Sequence, residues 1–281
     1  MRTKFRNLPY FAAALTALVI GIGAVSAFGN GAKGFCDNNN WSNGDNVSFR
    51  ELREMTAAAG GTITVDGRQN GGISVRGENR SDVLIRACVQ TWAKSDDAAK
   101  SIASNIKIST SGTIQAENSS GEKNWSVSYE ISVPRSSNVD LTAHNGGLSV
   151  KGVDGSINFE TMNGGVNLDG VAGTVKGRTT NGGINVKLVG SSWKGTGLDV
   201  QTTNGGVNIH VPENFAAHVE AGTTNGGFTS NIAGLQPEKN GDNKYYQRRT
   251  KVNTDLNGGG PPVRIMTTNG GVRINTISDK D

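Results

Sequence analysis

The stretch Ile157-Asn158-Phe159-Glu160-Thr161-Met162-Asn163-Gly164-Gly165-Val166-Asn167-Leu168 decides the fold of this 281-residue chain. On both flanks of Asn-Gly-Gly, apolar or small residues alternate with polar ones, and period two belongs to strands rather than helices. Five further copies align with it without gaps, so six corners centre on Asn145, Asn163, Asn181, Asn204, Asn225 and Asn269. Six residues before each Asn stand Val139, Ile157, Val175, Leu198, Val219 and Val263; three after it stand Leu148, Val166, Ile184, Val207, Phe228 and Val272. The first four spacings are 18, 18, 23 and 21 residues, a period that means stacked similar coils rather than a domain built around one pocket.

Asn-Gly-Gly reads as a corner because Asn and Gly tolerate positive φ, Gly without a Cβ clash. Asn-Gly is also a hairpin signal, and serial hairpins would build an antiparallel barrel or sandwich. Like side chains recurring at one register favour stacked coils, with the Asn side chains bonding along the axis as a ladder. The fold expected is therefore all-β: a single-stranded parallel β-solenoid turning at the Asn-Gly-Gly corners, plus one short helix in the N-terminal region. One coil cannot fold alone. Its four or five inward groups contribute about 1.5–3 kcal/mol each when buried, whereas ordering about eighteen residues costs roughly 1–2 kcal/mol apiece.

Three segments are expected. Residues 1–27 read as a secretory signal peptide: Arg2, Lys4 and Arg6, an apolar run from Phe11 to Val25, and small residues at Val25-Ser26-Ala27. Residues 28–137 read as a β-rich capping region, and residues 138–281 as the Asn-Gly-Gly repeat. Within the capping region, a short helix is expected near Phe49–Thr56. A second begins at Ser95-Asp96-Asp97 with Ala98, Ala99, Ile102 and Ile106 on its apolar face. Asn70-Gly71-Gly72 reads as an imperfect early copy, and Trp125, Val127, Tyr129, Ile131 and Val133 alternate up to Pro134.

The formal net charge is +4, from 28 basic and 24 acidic residues; loss of the leader's three basic residues leaves 25 against 24, or +1. That near-neutrality argues against nucleic acid as a partner. Cys36 and Cys88, an even pair in an exported chain, are expected to form a disulfide.

No catalytic, cofactor-binding or metal-binding set emerges. His144, His210 and His218 stand in no ligand spacing, and the Gly-Gly corners lack the Lys-Ser/Thr and the helix of a phosphate loop. Glu160, Asp169 and Asp199 are acids that a polysaccharide-cleaving β-helix would use, but no pair repeats at an acid/base spacing. Thr rows beside the corners resemble flat ice-binding arrays, with Met162 and His144 in the same row. Two insertions break the rhythm: Lys187–Gly197, carrying Trp193, and Ala233–Pro262. In the second, Lys244, Tyr245, Arg248 and Arg249 are candidate partner contacts, basic and aromatic side chains interleaved. The simpler reading there is a solvated loop or hairpin folding back over the stack.

Tyr129-Glu130-Ile131-Ser132-Val133-Pro134, then Val139-Asp140-Leu141-Thr142-Ala143-His144-Asn145-Gly146-Gly147, then Gly155-Ser156-Ile157-Asn158-Phe159-Glu160-Thr161-Met162-Asn163-Gly164-Gly165 resemble the bacterial putative-adhesin family of β-strand-repeat proteins, the domain of unknown function 4097. Gly258-Gly259-Gly260-Pro261-Pro262-Val263 followed by Thr267-Thr268-Asn269-Gly270-Gly271 is similar to it too, and the resemblance covers roughly residues 60–276. It implies a β-solenoid and a non-enzymatic exported or envelope protein, with no catalytic residues to carry over. The function expected is thus an adhesin-like binding or structural module in the periplasm, cell envelope or extracellular space, without a cofactor. Its expected partner is an envelope or surface component, protein or glycan; no transmembrane span is expected after the leader, and self-association is expected through the solenoid ends. The alternative is a β-helix enzyme acting on envelope or extracellular polysaccharide.

Overall fold

The computed structural model describes residues 34–37, 46–236 and 250–277; the leader at 1–27 and the candidates Lys244, Tyr245, Arg248 and Arg249 lie outside them. Strands β1 (Val47–Ala58), β2 (Thr62–Asp66), β3 (Ile73–Glu78) and β4 (Asp82–Ala93) precede helix α1 (Asp96–Ser104). β5 (Ile106–Ser109), β6 (Thr113–Asn118) and β7 (Trp125–Pro134) follow. The repeats supply β8 (Asn138–Ala143) with β9 (Leu148–Lys151), β10 (Ser156–Thr161) with β11 (Val166–Asp169), and β12 (Thr174–Asn181) with β13 (Ile184–Lys187). β14 (Gly197–Asn204) with β15 (Val207–Pro212) and β16 (Ala217–Asn225) with β17 (Phe228–Ser230) continue the series. β18 (Thr250–Leu256) comes before the last repeat, β19 (Pro262–Asn269) with β20 (Val272–Ile277). Among the described residues no helix is long and apolar enough to cross a membrane.

Each Asn-Gly-Gly joins a strand of one sheet to a strand of the other. One ten-stranded sheet runs β1-β4-β7-β3-β9-β11-β13-β15-β20-β17; the second runs β18-β16-β19-β14-β12-β10-β8-β2-β6-β5. Neighbouring repeats pair in parallel with like positions opposed, so Ile157 lies between Val139 and Val175. The inward positions read from the alternation, such as Leu141, Leu148, Val150, Val207 and Ile265, are buried in one continuous core between the sheets.

The chain is all-β with one helix, as expected, but a single parallel solenoid is not what forms throughout. Both sheets are mixed. At one end β4 runs antiparallel to both β1 and β7, and β5 to β6; at the other, β18 runs antiparallel to β16. β18 belongs to the 233–262 insertion and pairs with β16 as the edge strand of its sheet among the described residues. β2 and β3 pair directly with β8 and β9, so strands on either side of residue 137 share both sheets.

The helix expected near Phe49–Thr56 is strand β1, paired with β4 along its whole length. Its half-buried positions Phe49, Arg53, Met55 and Ala57 alternate and face α1 and the core. Arg53 explains the choice of strand. Its guanidinium donates to the carbonyls of Ala103 (2.9 Å) and Ile106 (2.6 Å), supplying from outside the cation and donors that the end of α1 lacks. The start of α1 is as expected: the Ser95 hydroxyl accepts from the Ala98 amide at 3.2 Å. Ile106 leaves the helix and opens β5, and Ala103 takes its place on the buried face with Ala99.

The corner glycines are required for a different reason from the one expected. Gly146, Gly164, Gly182, Gly205, Gly226 and Gly270 do not have positive φ. They are required because successive corners sit backbone on backbone. A Cβ on Gly182 would lie 2.0 Å from the Gly164 carbonyl oxygen, and one on Gly164 the same distance from that of Gly146. The second glycines have more room, the nearest atom to a Cβ on Gly183 being 3.2 Å away. The buried Thr two residues before the Asn completes the corner. Thr161, Thr179, Thr202, Thr267 and Thr223 donate at 2.7–2.9 Å to the first-glycine carbonyl of the adjoining repeat, which no aliphatic side chain there would satisfy.

The stacking order departs from chain order. β19 lies between β14 and β16, so the repeat of Asn269 stands between those of Asn204 and Asn225. Charge at the position five before each Asn explains why. Along the stack the row reads Lys176, Asp199, Arg264, Glu220. Arg264 meets Asp199 at 2.8 Å and Glu220 at 3.6 Å, and Lys251 on the edge strand meets Glu220 at 2.5 Å. Stacking in chain order would put Asp199 directly beside Glu220, and like charges opposed across strands are destabilising.

Three outcomes follow from these contacts. Gly182→Ala should destabilise by ~3 kcal/mol or more in chemical denaturation, and Gly183→Ala by about 1 kcal/mol; equal losses would remove the close-approach account. Arg264→Glu should cost roughly 1–2 kcal/mol more than Arg264→Met, because it sets three acids in line. The hydrogen bond from Lys251, with Arg264 beside it, outweighs desolvation and holds Glu220 below the ordinary carboxylate range. A carboxyl whose pKa is lower folded than unfolded adds stability above its unfolded value, near 4.3, and loses it as pH falls through the folded one. Thermal melts of Glu220→Gln should therefore decline less steeply below about pH 4.5 than those of the parent.

Candidate functional site

The corner row is the most regular outward feature of the molecule. Asn225 donates its Nδ2 to Oδ1 of Asn269, Asn269 to Asn204, Asn204 to Asn181, Asn181 to Asn163, and Asn163 to Asn145, at 2.7–2.8 Å. Asn145 donates in turn to Asn70 at 3.0 Å, so the early copy read as imperfect supplies a full rung. A second, shorter ladder runs Asn208 to Asn185 to Asn167, each bond 3.0 Å. The long ladder has a direction. Every amide donates toward Asn70, which leaves Asn70 Nδ2 at one end and Asn225 Oδ1 at the other without a partner among the described residues.

Beside the ladder runs the row of residues that immediately precede each Asn. In stacking order Thr180, Thr203, Thr268 and Thr224 follow one another, with Met162 and His144 at the other end. Three outward acids are paired. Glu160 meets Arg178 at 2.9 Å, Asp169 meets Lys151 at 2.9 Å and Asp199 meets Arg264 at 2.8 Å. Glu160 and Asp199 lie in one sheet and Asp169 in the other, so the structure does not bring these three acids together. His218 faces Asp255 across β16 and β18 at 2.7 Å. Trp193 is buried in its insertion, and its indole donates to the Gly173 carbonyl at 3.0 Å.

Cys36 and Cys88 are bonded, with Cα atoms 5.3 Å apart, which ties the segment 34–37 onto the outer face of β4. On that face a charge row crosses the sheet: Arg76 lies 3.5 Å from Glu130, Glu130 also pairs with Arg86, and Arg86 lies 3.5 Å from Glu54. Phe35 packs over the Arg86 guanidinium at 5.9 Å from its ring centre. In the core beneath, Tyr129 is buried with its hydroxyl unpartnered, and burial pushes the phenol above its ordinary range.

Where the corner row stops, a groove opens. Its volume is about 440 Å³, and Asn70, Gly71, Gly72, Gln90, Trp92, Ser126, Ser128 and Asn145 line it. The next strands out, β6 and β7, connect through residues 119–124, which carry no Asn-Gly-Gly. The groove is the place of a missing corner. Sequence reading did not single out Gln90, Trp92 or Ser126. The signal was present in the parity of β4 and β7: the buried set Ala87, Val89, Thr91 and Val127 leaves Gln90, Trp92 and Ser126 on the outer face.

The family model described as Toastrack DUF4097 matches residues 41–278. Among curated proteins, none matches the sequence. Among solved structures, the chain is similar to a putative cell adhesion protein from Clostridium sporogenes, at 11% identity and a TM-score of 0.43, over 82% of this chain and 100% of that one. It is also similar to a putative adhesin from Bacteroides fragilis (12% identity, TM-score 0.33, 81% and 97% covered). A putative lipid binding protein from Parabacteroides distasonis shares 10% identity at a TM-score of 0.32, over 82% and 97% of the two chains. The family match takes in both sheets, every corner and the groove, and by it this chain belongs to the Toastrack DUF4097 family.

Proposed function

We propose that this chain is a non-enzymatic exported module of the cell envelope or surface, a rigid two-sheet stack that presents its outer faces to a surface component. The ordered corner face carries the reading. Each Asn side chain is held by the next through a side-chain hydrogen bond, and exposed Thr180, Thr203 and Thr268 stand in a row alongside. Side chains fixed before contact lose little freedom on binding, so an extended array of modest contacts adds up to useful affinity. The Cys36–Cys88 bond fits an oxidising compartment, as the leader-like start of the chain does. The pairing of Glu160, Asp169 and Asp199 with basic neighbours supports a binding role over acid/base cleavage of polysaccharide.

The test is retention of the purified chain on washed envelope fractions of the producing organism. Saturable retention is expected, and the double variant Thr180→Glu/Thr268→Glu, whose two positions are separated by the strand of Thr203, should weaken it by about tenfold with an unchanged melting temperature. Retention equal to the parent's, or release of sugars from the envelope fraction by the parent, would sink the reading.

A further inference from the structure

The groove beyond Asn70 gathers several side-chain hydrogen-bonding groups that have no partner among the described residues. Along the ladder each Asn Nδ2 donates to the next Oδ1; at Asn70, which lines the groove, the series ends and the amide that would donate to a further rung has no partner among the described residues. Gln90, the Trp92 indole N–H and the Ser126 hydroxyl also line it, and none of them has a side-chain partner among the described residues. Ser128 Oγ accepts from the Gly72 amide at 3.3 Å and keeps its own proton to donate. Among the described residues, none that lines the groove is charged.

We propose that this groove is a binding site for a neutral pyranose saccharide. A sugar ring presents an apolar C–H face and a rim of hydroxyls. The half-buried indole of Trp92 offers a flat apolar surface to the first, and Asn70, Gln90 and Ser126 offer donors and acceptors to the second. An uncharged lining favours a neutral ligand over an anionic one. The volume of about 440 Å³ lies within the span of small-ligand sites, about 300–1,000 Å³. Two features hold the site in shape. Hydrogen bonds in series polarise one another, so the aligned amides from Asn225 to Asn145 strengthen the terminal donor on Asn70. β4 is braced from outside by the disulfide at Cys88, two residues from Gln90 and directly opposite Ser128.

The inference rests on the reading of this chain as a binding module, and its test separates the two. The disulfide-intact protein is titrated calorimetrically with triacetylchitotriose and with cellotriose, while the Trp92 indole N–H resonance is followed by NMR. Saturable binding of at least one sugar is expected, with the Trp92 signal shifting along the same isotherm. Trp92→Ala should weaken that binding about tenfold or more. Asn70→Asp is the sharper variant: it keeps an oxygen to accept from Asn145 and exchanges the free donor for a charged acceptor oxygen, so the melting temperature should hold while binding falls by a similar factor. No saturable binding of either sugar, or parental binding in both variants, would overturn the proposal. Dissociation of a parental dimer by Trp92→Ala without sugar would also overturn it, by giving the groove to a second copy. Envelope retention with no response to either sugar overturns the groove and leaves the module standing.

Discussion

Everything in this stack depends on how closely two corner backbones approach. The first glycine of each corner lies so near the carbonyl of the next that a methyl group would stand 1.9–2.1 Å from it in Gly146, Gly164, Gly182, Gly205, Gly226 and Gly270. That spacing lets the Asn amides meet at 2.7–3.0 Å and brings each buried Thr hydroxyl within reach of the neighbouring glycine carbonyl. It also sets the register that puts valine on valine and isoleucine on valine within the core. Hydrophobic burial supplies most of the free energy, but burial is non-directional. The corners convert it into one alignment, because a slip by one residue would turn every inward side chain outward.

Packing alone leaves the order of the repeats open, since the inward residues of different repeats are nearly interchangeable. Surface electrostatics discriminate among orders that the core treats as equal. Arg264 between Asp199 and Glu220 is a modest interaction by itself, as exposed ion pairs are. Its weight comes from the alternative, in which two carboxylates would face each other. Size complementarity adds a second selector: the Phe159 ring lies over Gly177 of the adjoining repeat, in space that any side chain there would fill. Small departures from a perfect repeat thus carry the information that the repeat itself lacks.

Strand alternation was legible in the sequence wherever one face is buried and the other wet, because period two then has a physical cause. The Asn ladder was legible for a related reason: an identical polar side chain at one register can bond only along the stack. The reason for the glycines was not legible, since a residue chosen for positive φ and one chosen for close approach are both written Gly. Phe49–Thr56 misled because Arg50, Arg53 and Glu54, at i, i+3 and i+4, look like the solvated face of a helix, whereas Arg53 in fact reaches the end of α1. The row Lys176, Asp199, Arg264, Glu220 was in the sequence from the start, but its signs alternate only in stacking order. Trp92 and Gln90 escaped notice because an outward aromatic on a non-repeating strand has no pattern to break.

The intercalated repeat has a consequence for how the molecule is completed. Synthesised or translocated from its N-terminus, the chain delivers residues 217–230 well before residues 262–277, which stand between them and the rest of the stack. Until then β14 and β15 present open edges, and an open edge is a template for pairing with another chain. The final repeat enters as a keystone, closing two interfaces at once and silencing both edges. Shortening the chain before Pro262 would therefore leave the arch without its closing stone, with the repeat of Asn225 deprived of the neighbour it was built to meet.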